Sequence, residues 1–362
     1  EYHSYKAQGE IFRALMMFRM ARLWGSFPVI TTIAKTITSD NINEVYPTYY
    51  PPRKTPKECY EQIIADLTDA EQYAPDNDNS DRTKMTKTVA QAMLAKVYAE
   101  KEVQDYDKVI AYADKVMNTT GVELEDSYET LWGYDETAID CMKRNTKEGI
   151  LEVHWSGGGN WETWMYGRQL DNWDYYFTWA KWITPSRDII NDFDKEGDEV
   201  RKNQAIVYYA CTWSNYYPAS NYPFMYKLRS SYNNIYWVRL ADIILMKAEA
   251  EAYKGNLAES AKLVNQIRKR AKLKELTSDK TGSKESMIEA VLHERRLELA
   301  FEGERWFDLC RNNKVEQYLN GIDNRDSGRI RQVKQFDSNS YLLPIPQTAL
   351  DQNTNLEQNP GY

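Results

Sequence analysis

Histidine and cysteine are scarce, with three of one and four of the other in 362 residues. Cys59, Cys141, Cys211 and Cys310 fit no CxxC spacing, so zinc ribbons and thioredoxin-type redox motifs are excluded. They read as separate buried thiols and leave the redox compartment open. His3, His154 and His293 form no HExxH, and there is no GxSxG and no Walker A loop. Ser156-Gly-Gly-Gly159 lacks phosphate-loop spacing and reads as a turn after a strand, while Thr281-Gly-Ser-Lys284 has the wrong order. No run of 18 apolar residues occurs, so no segment reads as a membrane-spanning helix. The start, Glu1-Tyr2-His3-Ser4, has neither a charged n-region nor an apolar h-region. A helical pattern is under way by Gly9, so the chain is expected to begin inside a longer protein with any address signal upstream. Positive charge is also short. Lys and Arg total 46 against 54 Asp and Glu, a net charge of −8, which argues against nucleic acid or an anionic membrane surface as partner. Asp76, Asp78, Ser80 and Asp81 suggest a calcium loop, but Asp81 and Lys87 stand where an EF-hand needs Gly and Glu. An irregular calcium site or a solvated acidic loop remains.

Aromatic side chains, by contrast, are abundant: 11 Trp, 27 Tyr and 9 Phe, 13% of the chain. Mean hydropathy is −0.72, so the chain is polar yet rich in rings, which excludes wholesale disorder. The length allows two domains, or one large domain with an insertion.

Helical patterns come in pairs. Residues 10–24 are apolar on most faces and stop at Gly25 with Pro28 just beyond. Pro47, Pro51, Pro52 and Pro56, among Tyr46, Tyr49 and Tyr50, predict an extended loop. Thr55 with Glu58 three residues on predicts an N-cap and a helix to Tyr73. Two helices are then expected, Thr86 to Glu102 and Tyr106 to Met117, and a second pair from Tyr236 to Tyr253 and Leu257 to Lys272, joined at Gly255-Asn256. Alanines stand where the partners would touch, and each unit resembles a degenerate tetratricopeptide repeat. A last helical stretch is predicted from Ser283 to about Tyr318. Residues 120–235 show little 3.6 periodicity; one strand is expected over Gly149 to Trp155 and a short helix over Ser186 to Phe193. The predicted fold is therefore mainly α. Tetratricopeptide-like helix pairs form a scaffold over 5–118 and 234–320, with a loop-rich, aromatic-rich insertion at 120–235 containing a few short strands. The tail, 340–362, reads as extended and lying across the surface.

The densest charge cluster is His293 to Arg311. Read as one helix, it makes Arg295 and Glu298, Glu302 and Arg305, and Arg305 and Asp308 neighbours. Leu297, Leu299, Phe301, Trp306 and Leu309 are interleaved and must be largely buried, so a structural ion-pair network is favoured over a catalytic role. This segment, Glu294-Arg-Arg-x-Glu-Leu-Ala-Phe-Glu-Gly-x-Arg-Trp-Phe-Asp-Leu309, resembles the signature of the SusD/RagB family, outer-membrane nutrient-binding lipoproteins of Bacteroidetes. Gly9 to Ala14 with Trp24 to Pro28, Val238 to Ala250 with Val264 to Ala271, Tyr341 to Pro346, and Asn359 to Tyr362 resemble further family segments in the same order.

The resemblance implies a single SusD-like domain over 1–362. It implies no enzymatic activity and no cofactor, but cell-surface binding of glycans (oligo- or polysaccharide) and delivery to a SusC-like TonB-dependent transporter. It also implies attachment to the extracellular face of the outer membrane by an N-terminal lipid anchor not present in this chain. No Cys lies near the start, and family members can contribute a ligand-binding aromatic from that missing portion. Peptide or another nutrient is the alternative cargo on the same fold, and a glycosidase or a bare scaffold are further alternatives.

For the site, residues 155–182 hold six of the eleven tryptophans. Flat rings cover the apolar faces of sugars, and nearby amides, carboxylates and guanidinium groups bond the hydroxyl edges. Trp161, Trp164, Tyr166, Arg168, Asn172, Trp173 and Tyr175 are the predicted glycan-binding residues; Gln169, Asp171 and Asp174 are possible polar partners. The alternative is that the rings form a local core, as expected of Trp179 and Trp182. Tyr208, Tyr209, Trp213, Tyr216, Tyr217 and Tyr222 form a second candidate cluster, and Tyr46, Tyr49 and Tyr50 a third. No residue is predicted to be catalytic or to bind a metal.

Overall fold

The computed structural model describes residues 1–135, 137, 138, 140–155, 184–210, 214, 216–229, 232–328 and 334–362. Ten longer helices carry the scaffold: α1 (Tyr2–Trp24), α2 (Pro56–Tyr73), α3 (Lys87–Ala99), α4 (Tyr106–Met117), α5 (Arg187–Glu196), α6 (Glu199–Ala205), α7 (Leu240–Lys254), α8 (Leu257–Arg270), α9 (Lys284–Glu298) and α10 (Arg305–Arg311). Three two-stranded antiparallel ribbons complete it: β1 (Tyr134–Asp135) with β2 (Asp140–Cys141), β3 (Gly149–His154) with β6 (Asn234–Arg239), and β4 (Ile206–Tyr209) with β5 (Tyr222–Met225). The mainly helical class and its short strands are as expected.

Local chemistry sets the helix boundaries. The Thr55 side chain accepts from the Glu58 N–H at 3.3 Å, and Glu58 accepts from the Thr55 N–H at 2.9 Å, a closed capping box. Ser186 caps α5 through the Ile189 N–H at 3.2 Å. At the end of α7, Gly255 sits at φ 86 and closes the helix through the Ala252 carbonyl, while the Asn256 N–H reaches Glu251. That turn lets α8 fold back antiparallel on α7.

Among the described residues the main core cluster joins α1 to α4 with α7, α8 and α9, and three smaller clusters stand apart from it. α1 packs on α2, α3 on α4, and α7 on α8, α4 and α9. α7 is at the centre: Ile243, Ile244 and Leu245 are fully buried, each contributing about 1.5–3 kcal/mol of burial. Ala90, Ala92, Ala95, Ala113, Ala241, Ala248 and Ala252 have no exposed surface either, which lets neighbouring backbones approach closely.

Four expectations are corrected. Residues 236–239 are strand: β6 runs Asn234–Arg239 and pairs with β3, and helix begins at Leu240. Ile235, Tyr236, Trp237 and Val238 suit a pleated ribbon better than a helix. The stretch from Ser283 to Tyr318 is not continuous: α9 ends at Glu298 and α10 starts at Arg305. Phe301 (φ 65) and Gly303 (φ 85) adopt left-handed backbone between them and turn the chain sharply. The proline-rich segment is not wholly extended, since Ile42–Val45 is helical and Tyr46–Tyr49 forms a 3-10 turn with Pro47 in its first positions. The tail carries a turn at Ser338–Tyr341 and a short helix at Gln347–Gln352.

The tail does lie across the scaffold. Leu343 N–H donates to Leu23 O at 2.7 Å, Trp24 Nε1 to Pro344 O at 3.2 Å, and Arg53 Nη2 to Asn359 Oδ1 at 2.7 Å. Gly25 makes room for it: at φ 78, an added Cβ would come within 2.8 Å of Leu342 Cδ1.

Candidate functional site

The charged cluster from His293 to Arg311 is largely interior. Glu298, without exposed surface, accepts from Arg239 Nη1 at 2.6 Å, Arg201 Nη1 at 3.2 Å and Arg270. Arg239 also holds Glu148 at 2.7 Å and spans both oxygens of Glu302 at 2.7 Å each. Glu294 is held between Arg201 (2.7 Å) and Arg268 (3.0 Å). A second chain of pairs surrounds Arg295, which reaches Asp242 at 2.8 Å and Asp308 at 2.9 Å, while Arg311 grips Glu249 with two bonds of 2.9 and 2.7 Å. The anticipated pair of Arg295 with Glu298 is therefore replaced by partners on other elements. Burial alone would raise the Glu298 carboxyl, but Arg270, Arg239 and Arg201 outweigh it and hold it well below the ordinary range. Lys227, buried against Glu302, is pushed down to about 8. These carboxylates are spent on guanidinium groups and hold α6, α8, α9 and β6 together.

The predicted glycan-binding residues, Trp161, Trp164, Tyr166, Arg168, Asn172, Trp173 and Tyr175, lie outside the described residues, as do Trp179, Trp182, Cys211 and Trp213. The residues on either side of the segment bearing them are held by the scaffold. The last described residue before it is Trp155, just past the end of β3. There the Trp155 N–H donates to Asn233 O at 3.2 Å, and Arg144 Nη2 donates to Trp155 O at 2.5 Å. The first described residue after it is Thr184, whose hydroxyl lies 2.7 Å from the Tyr222 hydroxyl, and Tyr217 donates to Pro185 O at 2.8 Å.

The described members of the second aromatic cluster pack beside this point. Tyr222 and Phe224 are buried on β5, with Tyr209 and Tyr217 packed against them. Tyr216 donates to Asp326 at 2.5 Å, and the Arg187 guanidinium lies over the Tyr216 and Tyr217 rings at 4.6 and 4.1 Å. Burial, with Asp326 alongside, pushes the Tyr216 hydroxyl up to about 12. The third cluster is exposed. Tyr46 and Tyr49 present 51% and 46% of their surface, Tyr46 lies 5.1 Å from Tyr50, and Ile30, Ile33 and Ile42 are exposed nearby in sequence.

A polar cleft of about 980 Å³ was not foreseen. It is lined by residues of α5, the turn after α8, and α9, including Glu196, Arg268, Lys274, Lys280 and His293. Glu196 accepts from Arg268 at 2.9 Å and lies 3.2 Å from His293 Nε2; His293, then Arg268, bring its carboxyl down to about 2 against the effect of burial. No local signal marks this cleft, since its residues come from distant stretches of chain.

The acidic loop is internally satisfied. Asp78 accepts from Ser80 N–H at 2.9 Å and from Lys84 at 2.6 Å, Asp81 accepts from Thr83, and buried Arg82 donates to Asn79 and Gly121 O. Among the described residues no group of three or more His, Cys, Asp or Glu could hold a metal ion. Cys59 and Cys141 are buried free thiols, as expected, whereas Cys310 is only partly buried. Among the described residues no helix is long and apolar enough to cross a membrane.

Comparison with known proteins adds the wider context. Residues 61–362 match the model described as "SusD family", and residues 1–99 match one described as "Starch-binding associating with outer membrane". SusD-like protein P2 of Formosa agariphila is 27% identical over 398 residues, spanning 98% of this chain and 74% of the relative. Among solved structures, a SusD superfamily protein from Parabacteroides distasonis superposes with a TM-score of 0.76 at 24% identity, covering 99% of this chain and 79% of that one. A laminarin-binding SusD-like protein superposes with a TM-score of 0.67 at 22% identity, covering 99% and 79%.

Proposed function

The chain belongs to the SusD family, and from that premise we propose that it binds oligo- or polysaccharide at the cell surface without chemical turnover and passes it to a TonB-dependent outer-membrane transporter. One observation carries the reading. The tryptophan-rich segment is the part of the chain best furnished for sugars, and its two ends are fastened to the scaffold at Trp155 and Thr184. Trp161, Trp164, Tyr166, Arg168, Asn172, Trp173 and Tyr175 form the binding surface in this proposal, within one domain whose helices serve as its frame. A SusD-like structural neighbour named for laminarin binding supports a glycan as cargo. The commitment of the signature carboxylates to buried guanidinium groups supports a binding rather than a catalytic role. Anchoring by an N-terminal lipid on the extracellular face belongs to the same proposal.

Titration against a panel of neutral and acidic polysaccharides tests it. Binding in the micromolar to millimolar range is expected, weakened by Trp161→Ala and by Trp173→Ala by about 1–3 kcal/mol each, on the scale of bases stacked on aromatics. A panel in which no glycan binds, or in which both variants bind like the parent, refutes it; peptide binding in the same assay would point to the other cargo. Release of sugar fragments would make the protein a hydrolase.

A further inference from the structure

Exposed apolar surface is concentrated near the start of the chain. Of the fourteen large hydrophobic side chains exposed among the described residues, eleven lie within residues 2–73. Ile33 is 98% exposed and Ile30 60%, and residues 31–40 are exposed without interruption. Residues 26–34, Ser-Phe-Pro-Val-Ile-Thr-Thr-Ile-Ala, carry no charge. Single apolar residues in water are ordinary, but a set of this kind marks a face that meets something.

The loop leaves the edge of an apolar groove. Met20, Trp24, Phe27, Pro28, Ile345 and Pro346 line a space of about 250 Å³ where the tail crosses the end of α1. The polar groups at its rim are already engaged. Arg53 donates to the carbonyls of Ser26, Trp24 and Glu357 and to Asn359, and Trp24 Nε1 donates to Pro344 O. Gln358 closes the Ile345 N–H and carbonyl at 2.7 and 2.9 Å. A peptide laid here would find little to hydrogen-bond, whereas a hydrocarbon chain asks for no such partner. Beyond the groove, Tyr49 donates to Lys35 O at 2.9 Å, which ties the exposed turn of Tyr46 and Tyr49 to the loop. Tyrosines beside aliphatic side chains are the composition of a membrane–water interface.

We propose that this face seats on the lipid surface of the outer membrane. Ile30 and Ile33 enter the hydrocarbon, the groove takes part of one acyl chain, and Tyr46 and Tyr49 sit at headgroup level. The family's association with the outer membrane supplies the surface, and the inference rests on that location, not on the glycan reading. Charge makes the contact apolar rather than electrostatic. Lys35 is the one cation in residues 26–50, and it lies 3.5 Å from Glu44. With no basic cluster in this stretch and a net charge of −8, anionic headgroups offer no net attraction.

Flotation of the whole chain with phosphatidylcholine vesicles tests this. Binding is expected, unchanged by salt and not strengthened when phosphatidylglycerol is added. Ile33→Asp should weaken partitioning about tenfold or more, the effect of withholding one isoleucine from hydrocarbon. Because Ile33 lies almost wholly in water, that change leaves the fold intact. Ala349→Trp, which fills the groove, should weaken partitioning severalfold, and Met142→Ser, exposed elsewhere, should change nothing. The proposal is overturned by absence of flotation, by flotation that needs phosphatidylglycerol and is lost in salt, by Ile33→Asp or Ala349→Trp floating like the parent, or by an equal loss in Met142→Ser. Dodecanoic acid separates the sources of the chain: its binding without vesicle binding would make the groove a fatty-acid site and the membrane seat wrong. A face covered by protein would also overturn the proposal. The signs would be a dimer that Ile33→Asp dissociates in sedimentation, or a longer, unlipidated form that does not float. Polysaccharide binding by the same variants should be unchanged, so failure of either reading leaves the other standing.

Discussion

Replacing Glu298 by Gln removes the charge shared by Arg201, Arg239 and Arg270 while leaving the volume of the side chain almost unchanged. Nothing else nearby has room to take over: Glu148 and Glu302 are already bonded to Arg239, and Glu294 to Arg201 and Arg268. With the side chains of Glu298 and all three arginines at most 5% exposed, breaking such a set from one side costs about 3–5 kcal/mol. That is a large part of the ~5–15 kcal/mol by which a domain is stable. Urea unfolding should show the midpoint falling with an unchanged slope. The pH dependence supplies a second check. The Glu298 carboxyl is depressed in the fold, so its contribution is present above the ordinary carboxylate range and is lost as pH falls through and below it. The gap between parent and variant should therefore be full near pH 7 and shrink below ~pH 4. A loss under about 1 kcal/mol at neutral pH would show that water reaches these groups, and the account of a dry ionic core would be wrong.

Other outcomes follow from the same coordinates. Glu100→Gln should raise stability above neutral pH: the folded-state carboxyl moves from 4.5 to about 7, so its stabilising effect is complete in acid and lost as pH rises through about 7, a difference of roughly 3 kcal/mol by pH-dependent urea unfolding. Thr55→Ala opens the capping box on α2 and should cost about 1 kcal/mol in the same assay, with Thr55→Ser close to neutral. Gly255→Ala meets no atom within 4 Å yet forces a left-handed alanine, and a loss of about 1–2 kcal/mol in thermal unfolding is expected. Cys59 and Cys141 should resist alkylation in the folded protein and react fully in denaturant, since burial raises both thiols; rapid labelling of the native protein would contradict their placement.

Much of the scaffold was legible in the chain because its boundaries are set locally. Thr55 with Glu58, Ser186, and Gly255 do their work within four residues of themselves, and each helix edge falls within a residue or two of where those signals stand. Long-range pairing was the obstacle elsewhere. β6 was read as helix because the alanine-rich pattern of α7 follows it directly, while its partner β3 lies some 80 residues earlier in the chain. The charged stretch after His293 reads correctly as a buried ionic network, yet its partners Arg201, Lys227 and Arg239 carry no local mark of that role. The same holds for the candidate sites. An excess of tryptophan is visible in composition, whereas the cleft at Glu196 is assembled from α5, the turn after α8 and α9, and only the fold brings them together.

The fastening of the tryptophan-rich segment has an evolutionary consequence. At Trp155 the scaffold grips the backbone N–H and carbonyl, and at Pro185 it grips a carbonyl, so most of the hold is blind to the side chains in between. New lengths and new aromatic spacings spliced between Trp155 and Thr184 would leave these backbone bonds in place. One frame would then serve as a chassis for many specificities, its stability inherited and its recognition rewritten.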